Sequence, residues 1–296
     1  MTDQKSISAS SLGFPALFVF LWSTGFLGAK YGAPDSEPMS FLTVRFAILV
    51  VLLIGLSLLG KPKWPDRITA AHSLVVGALI HGIYLGGVFW AIDRGMPANI
   101  SVMIIGLQPI LTALFAWKLL GEEPTRWHWG GLALGLFGLS LIVSGKKAGI
   151  DGGVLTVETI GACVIGVFAI ALGTVYQKRF ATGVDLRTGG IFQYLGALII
   201  TAPYGLFGEQ LDITWTAEFI FALAWLIIVL SIGAIFLLMR LIQTGAVSNI
   251  AALFYLVPVS TALLSWLMFD EELTLIQMVG MLLISAAVAL ATRKHA

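Results

Sequence analysis

Residues 95–131 read GMPANISVMIIGLQPILTALFAWKLLGEEPTRWHWGG, and residues 245–280 read GAVSNIAALFYLVPVSTALLSWLMFDEELTLIQMVG. Laid one on the other, Gly95, Asn99 and Pro109 fall on Gly245, Asn249 and Pro258, with one residue lost between the Asn and the Pro. An acidic turn follows in each, Gly121-Glu122-Glu123 and Asp270-Glu271-Glu272, and then Gly131 or Gly280. Further out, Gly25, Lys30 and Arg45-Phe46 stand at the same intervals as Gly173, Lys178 and Gln193-Tyr194. One coincidence of this kind is weak, whereas an ordered series is the mark of an internal duplication.

Composition says what has been duplicated. The chain has 296 residues, 58% of them hydrophobic and 11% charged, with a mean hydropathy of +0.95, far from the range of soluble domains. Ten apolar segments are read, at 14–31, 38–59, 69–92, 97–119, 127–144, 159–180, 187–207, 216–241, 247–269 and 274–292. Each is long enough to cross about 30 Å of hydrocarbon as a helix. They do not alternate with period two as barrel strands do. The expected fold class is therefore an all-α integral membrane protein with ten transmembrane helices. Its parts are a polar cytoplasmic tail (1–13), a first repeat (14–147) and a second repeat (148–296) with a short tail. Five crossings per copy turn the second repeat over relative to the first, about a pseudo-two-fold axis in the membrane plane.

Orientation follows from Lys and Arg. With the N-terminus inside, twelve such residues fall on the cytoplasmic side, Lys61, Lys63, Lys118, Lys178 and Arg179 among them, against Lys30, Arg94, Lys146 and Lys147 outside. Both termini are expected in the cytoplasm. No cleavage site follows the first apolar segment, so it is expected to remain as an anchor.

Several function classes drop out. Connections are short and no glycine-rich phosphate loop occurs, which argues against ATP hydrolysis. A formal charge of +1 gives no reason to expect nucleic-acid binding. Cys163, the single cysteine, reads as a small apolar filler. His72 and His81 lie nine positions apart, on opposite sides of an α-helix, so they cannot share a metal, and no cofactor is expected.

Pro109 and Pro258 are the main mechanistic pointers. A proline inside a helix removes a donor and displaces the carbonyl four residues back, here Ile105 and Phe254. Paired interruptions in inverted repeats point to a central binding site, although membrane helices also simply bend at proline. His81, with Tyr84 three positions on and so expected on the same helix face, offers either a substrate partner or an interhelical hydrogen bond. Trp22, followed by Ser23, suits a cavity wall, and Trp225 suits packing. Met103, Tyr176 and Tyr255 are further cavity candidates. Arg45 lies about 10 Å below the outer surface, as a snorkelling or ion-paired group or as a contact for a substrate carboxylate. Asn99 and Asn249 are expected to satisfy backbone groups in the first turns of their helices, and Glu122 and Glu271 to be structural or gating groups. No Asp or Glu lies deep in any segment, which favours facilitated diffusion or exchange over proton antiport unless His81 carries the proton. Scarce cations argue against phosphorylated substrates.

The stretch Ala91–Ser101 with Leu107-Gln108-Pro109, Gly121-Glu122-Glu123 and Gly131 resembles the EamA repeat of the drug/metabolite transporter superfamily. Gly245 through Pro258 to Glu271-Glu272 and Gly280 resembles a second copy. Arg45-Phe46 is similar to an Arg-Phe pair of that module, and Gln193-Tyr194 departs from it. The resemblance implies a secondary transporter that exports aromatic and other neutral amino acids by alternating access, with a single chain sufficient. Rival readings are an exporter of another drug or metabolite coupled to protons through His81, an intramembrane enzyme, for which no nucleophile motif is present, and a non-transporting membrane partner.

Overall fold

The structure is a computed structural model that describes residues 9–25, 35–96, 98–145, 156–269 and 273–292. Apart from a single bridge between Ser36 and Ile213, its regular elements are helices. In chain order they are α1 (Ala9–Ser23), α2 (Pro38–Leu58), α3 (Arg67–Asp93), α4 (Ala98–Ile105), α5 (Gln108–Leu120) and α6 (Arg126–Gly145). Then come α7 (Val157–Phe180), α8 (Leu186–Phe207), α9 (Ala217–Gln243), α10 (Val247–Leu253), α11 (Leu256–Phe269) and α12 (Leu275–Ala291). Eight helical spans among the described residues are long and apolar enough to cross a membrane, with α4–α5 and α10–α11 each counting as one. The apolar helices Gly13–Ser23 and Leu275–Ala291 are shorter. The fold is an all-α, multi-pass membrane fold.

Helix starts are set by polar caps just outside the apolar runs. Asp66 accepts a hydrogen bond from Thr69 N at 2.7 Å, and Thr156 with Thr159 and Thr274 with Gln277 form capping boxes. Pro38 opens α2, where its missing N–H costs nothing. Gly121 ends α5 at φ +69°, a conformation that glycine adopts freely.

Two features differ from a reading in straight α-helices. The helices do not merely bend ahead of the prolines but break. Leu107 N bonds Ile104 O, and Tyr255 N bonds Ala252 O, each closing a tight turn three residues long. Midway, α3 and α9 widen into π-helix over Ala78–Ile83 and Leu226–Ala234. The apolar run gives no sign of that widening.

Small residues let backbones meet. A side chain added at Gly138 would stand 2.9 Å from the Gly280 carbonyl oxygen, and one at Gly280 would stand 2.6 Å from that of Gly138. Gly131 meets Ala287 in the same seam. Early residues of α6 thus face late residues of α12, so the two run antiparallel. Met39 against Gly205 and Leu53 against Gly190 show the same for α2 and α8.

Candidate functional site

Two adjoining cavities lie between the helices. The larger, about 240 Å³, is walled by Trp22, Phe41, Arg45, Tyr84, Phe89 and Leu230, and it reaches Ser36, Pro38 and Asp93 where α2 begins and α3 ends. The smaller, about 50 Å³, shares Trp22, Tyr84 and Ile105 with it and sits between the two helix breaks, against Gln108, Pro109, Tyr255 and Pro258. Drug-sized ligand sites run to about 300–1,000 Å³, so this space suits a small metabolite.

Among the described residues Arg45 is the one ionised group set into the larger cavity below its mouth. Its side chain is 3% exposed. Nε and Nη2 donate to Ser231 Oγ at 3.1 and 2.8 Å, and Nη2 reaches Leu226 O at 3.3 Å. No carboxylate pairs with it among the described residues. Neither does Nη1 have a protein partner there. Aromatic rings complete the wall: Trp22 meets Phe254 edge-on at 5.1 Å, and Phe41 stacks with Phe89 at 6.4 Å.

Other expected site residues fall elsewhere. His81 is 2% exposed and lies on neither cavity wall. It stacks on Tyr194 at 5.0 Å with Gln193 facing its ring, while its Nε2 has no partner. The expectation that His81 and Tyr84 share a face assumed α geometry. Across the π turn, three residues leave side chains roughly 115° apart rather than about 60°, and only Tyr84 reaches the cavity. Ser23 donates to Val19 O at 2.7 Å within its own helix. Tyr176 meets His72 Nδ1 at 2.7 Å and packs on Phe180, away from both cavities, and Met103 is 39% exposed and off their walls. Asn249 points out of the first turn of α10, and Glu122 satisfies that turn instead. Trp225 donates to Thr24 Oγ1 at 3.2 Å, and Cys163 packs against Met96. Glu271 and the side chain of Asn99 lie outside the described residues.

Three wall residues, Gln108, Phe41 and Phe89, escaped the sequence reading. Gln108 had a signal, being an amide in mid-segment directly before a kink proline. The phenylalanines had none, because every segment is rich in such residues.

The end of the bundle opposite the mouth is closed by hydrogen bonds. Glu122 accepts from Val247 N at 2.8 Å, Ser248 N at 3.1 Å and Ser248 Oγ at 2.7 Å. Lys178 Nζ caps the end of α9 through the carbonyls of Ile242 at 2.7 Å and Gly245 at 3.2 Å, and Arg179 donates to Leu119 O. The mouth carries acids. Asp93, partial burial and Glu209 together raise the Glu37 carboxyl above its ordinary value. Among the described residues no group of three or more His, Cys, Asp or Glu is placed to hold a metal.

Comparison with known proteins agrees with this architecture. The EamA-like transporter family matches the sequence over residues 11–144 and again over 158–293. The chain is similar to the uncharacterized transporter YvbV of Bacillus subtilis, at 28% identity over 94% of this chain and 90% of that one. It is similar to the uncharacterized inner membrane transporter YedA of Escherichia coli K12 at 26% identity, with the same coverage. A probable amino-acid metabolite efflux pump of Escherichia coli K12 matches at 24% identity over 90% of each chain. A solved crystal structure superposes with a TM-score of 0.77, at 23% identity over 96% of each chain, which establishes the fold alone.

Proposed function

The chain belongs to the EamA-like transporter family, and from that premise we propose that this secondary transporter of small metabolites exports neutral amino acids, aromatic ones foremost, across a bacterial inner membrane. The observation that carries the reading is Arg45. A buried cation without an anionic partner is costly, and here it borders an otherwise apolar, aromatic cavity. A carboxylate with an apolar body relieves both. The amino-acid pump and the inner-membrane transporter among the relatives support the substrate class and the location.

Transport proceeds by alternating access between two five-helix repeats of inverted topology, with ten crossings, both termini in the cytoplasm and one chain sufficient. Gly131, the repeat mate of Gly280, meets Ala287 as Gly138 meets Gly280, and this paired contact supports the inversion. The conformation described is the outward-open one: the mouth at Pro38 and Asp93 gives access, while the Glu122 and Lys178 contacts shut the other end. Among the described residues no carboxylate lines the cavity below the mouth, so the reading is a facilitator or exchanger rather than a proton antiporter.

Counterflow of labelled phenylalanine, tyrosine and leucine into proteoliposomes, with and without a pH gradient, tests this. Saturable, stereoselective flux insensitive to the gradient is expected. Absence of flux above protein-free vesicles overturns the amino-acid class, and flux driven by the gradient overturns the uncoupled mechanism.

A further inference from the structure

The smaller cavity holds a polar group that the transport reading leaves unused. Gln108 is 1% exposed, and its amide nitrogen has no hydrogen-bond partner. It lines a chamber of about 50 Å³ whose other walls are Trp22, Ile105, Leu139, Phe254 and the two prolines. The Tyr255 hydroxyl is committed to Leu132 O at 3.2 Å. Gln108 therefore offers an open hydrogen bond, beside the Tyr84 hydroxyl, in a largely apolar pocket that adjoins the substrate cavity through Trp22 and Tyr84.

An orphaned buried amide costs more than a made hydrogen bond gains, so such a group selects for whatever satisfies it. The chamber has room for one or two water molecules at about 30 Å³ each, and thus for a hydroxyl but not for a second ring. A hydroxyl both donates and accepts, so it meets either end of the amide. Arg45 stands on the wall of the larger cavity. A substrate holding its carboxylate there and its ring against Trp22 and Tyr84 directs its far end into the chamber.

We propose that this chamber is a subsite for a hydroxyl at the tip of the substrate side chain, and that Gln108 is the residue that reads it. The inference rests on the amino-acid reading above. A site built to hydrogen-bond a substrate hydroxyl rejects the analogue lacking it far more strongly than an apolar pocket does.

The test is competition between tyrosine and phenylalanine in proteoliposome counterflow. Wild-type protein is expected to favour tyrosine by about tenfold in kcat/KM. Gln108→Met, nearly equal in volume, should bring the ratio close to one by slowing tyrosine far more than phenylalanine, and Gln108→Leu serves the same comparison if the first variant inserts poorly. Equal wild-type rates overturn the subsite while leaving amino-acid transport standing. An undiminished tenfold ratio in the variants overturns the role of Gln108, the chamber then holding water only. Failure of both amino acids to move overturns the parent reading as well.

Discussion

Arg45 concentrates the chemistry of the site in one side chain. Its guanidinium is held by Ser231 Oγ and Leu226 O, which fix its plane without neutralising it, and Nη1 is left for a ligand. Arg presents two parallel donors to a carboxylate where Lys presents a point charge. Arg45→Lys is therefore expected to lower kcat/KM for amino acids about tenfold, and Arg45→Gln about a hundredfold or more, by counterflow. The corresponding amines, lacking the carboxylate, should be poor substrates of wild type and indifferent to the substitution. Binding also stabilises: at a hundred times Kd a substrate adds about 2.7 kcal/mol, so the detergent melting temperature of wild type should rise with tyrosine and that of Arg45→Gln should not. Arg45 was legible in the sequence as a charge inside an apolar run. Its lack of an acidic partner among the described residues was not, because no spacing reports what a distant helix presents. His81 misled for a related reason: its three-residue separation from Tyr84 acquires a direction only once the π turn between them is known.

At the scale of elements, the breaks α4/α5 and α10/α11 are the bending points that the proposed alternating access calls for. Each ends in a tight turn ahead of a proline, and both line the same small chamber. At the closed end, Glu122 joins the tip of α5 to the first turn of α10, and Lys178 joins α7 to the end of α9. Charge-assisted hydrogen bonds of this kind contribute about 1.5–3 kcal/mol each in favourable settings, enough to bias a two-state gate by an order of magnitude or more. Glu122→Gln is expected to open that end. In a Cys163→Ala background, a cysteine at Val257 should react with an impermeant maleimide severalfold faster in inside-out vesicles when position 122 is Gln than when it is Glu. Unchanged reactivity would remove Glu122 from the gate. The prolines announced the breaks from the sequence, and the duplicated acidic turn drew attention to Glu122. Its partners Val247 and Ser248 lie on the other repeat, and local pattern is silent about contacts across 125 residues.

At the scale of the whole molecule, a two-fold inversion has consequences that composition alone does not. The 150-residue interval that matches Gly95 with Gly245 brings His81 onto Ser231, while Arg45 matches Gln193 at an interval of 148. Arg45 bonds Ser231 while Gln193 faces His81, so one contact occurs twice with its chemistry changed. The α6–α12 seam repeats the logic, Gly131 meeting Ala287 as Gly138 meets Gly280. Alanine at either site should cost a similar amount, about 1–3 kcal/mol from overpacking, read as matching drops in detergent melting temperature. The number of crossings is the sharper question, because eight spans are long enough by themselves while α1 and α12 are short. If α1 and α12 cross, both chain ends lie on the side of the Gly121–Thr125 turn. If they rest at the surface instead, both ends lie on the side where α2 begins, with Asp35 and Gly208. Reporter domains fused to either terminus, compared with epitope insertions at 123 and 210, separate the two arrangements in intact cells. Ten crossings require both termini to share the protected, cytoplasmic side with position 123 and only position 210 to be reached from outside. Termini that respond together with position 210 would leave eight spans and no fivefold inverted pair.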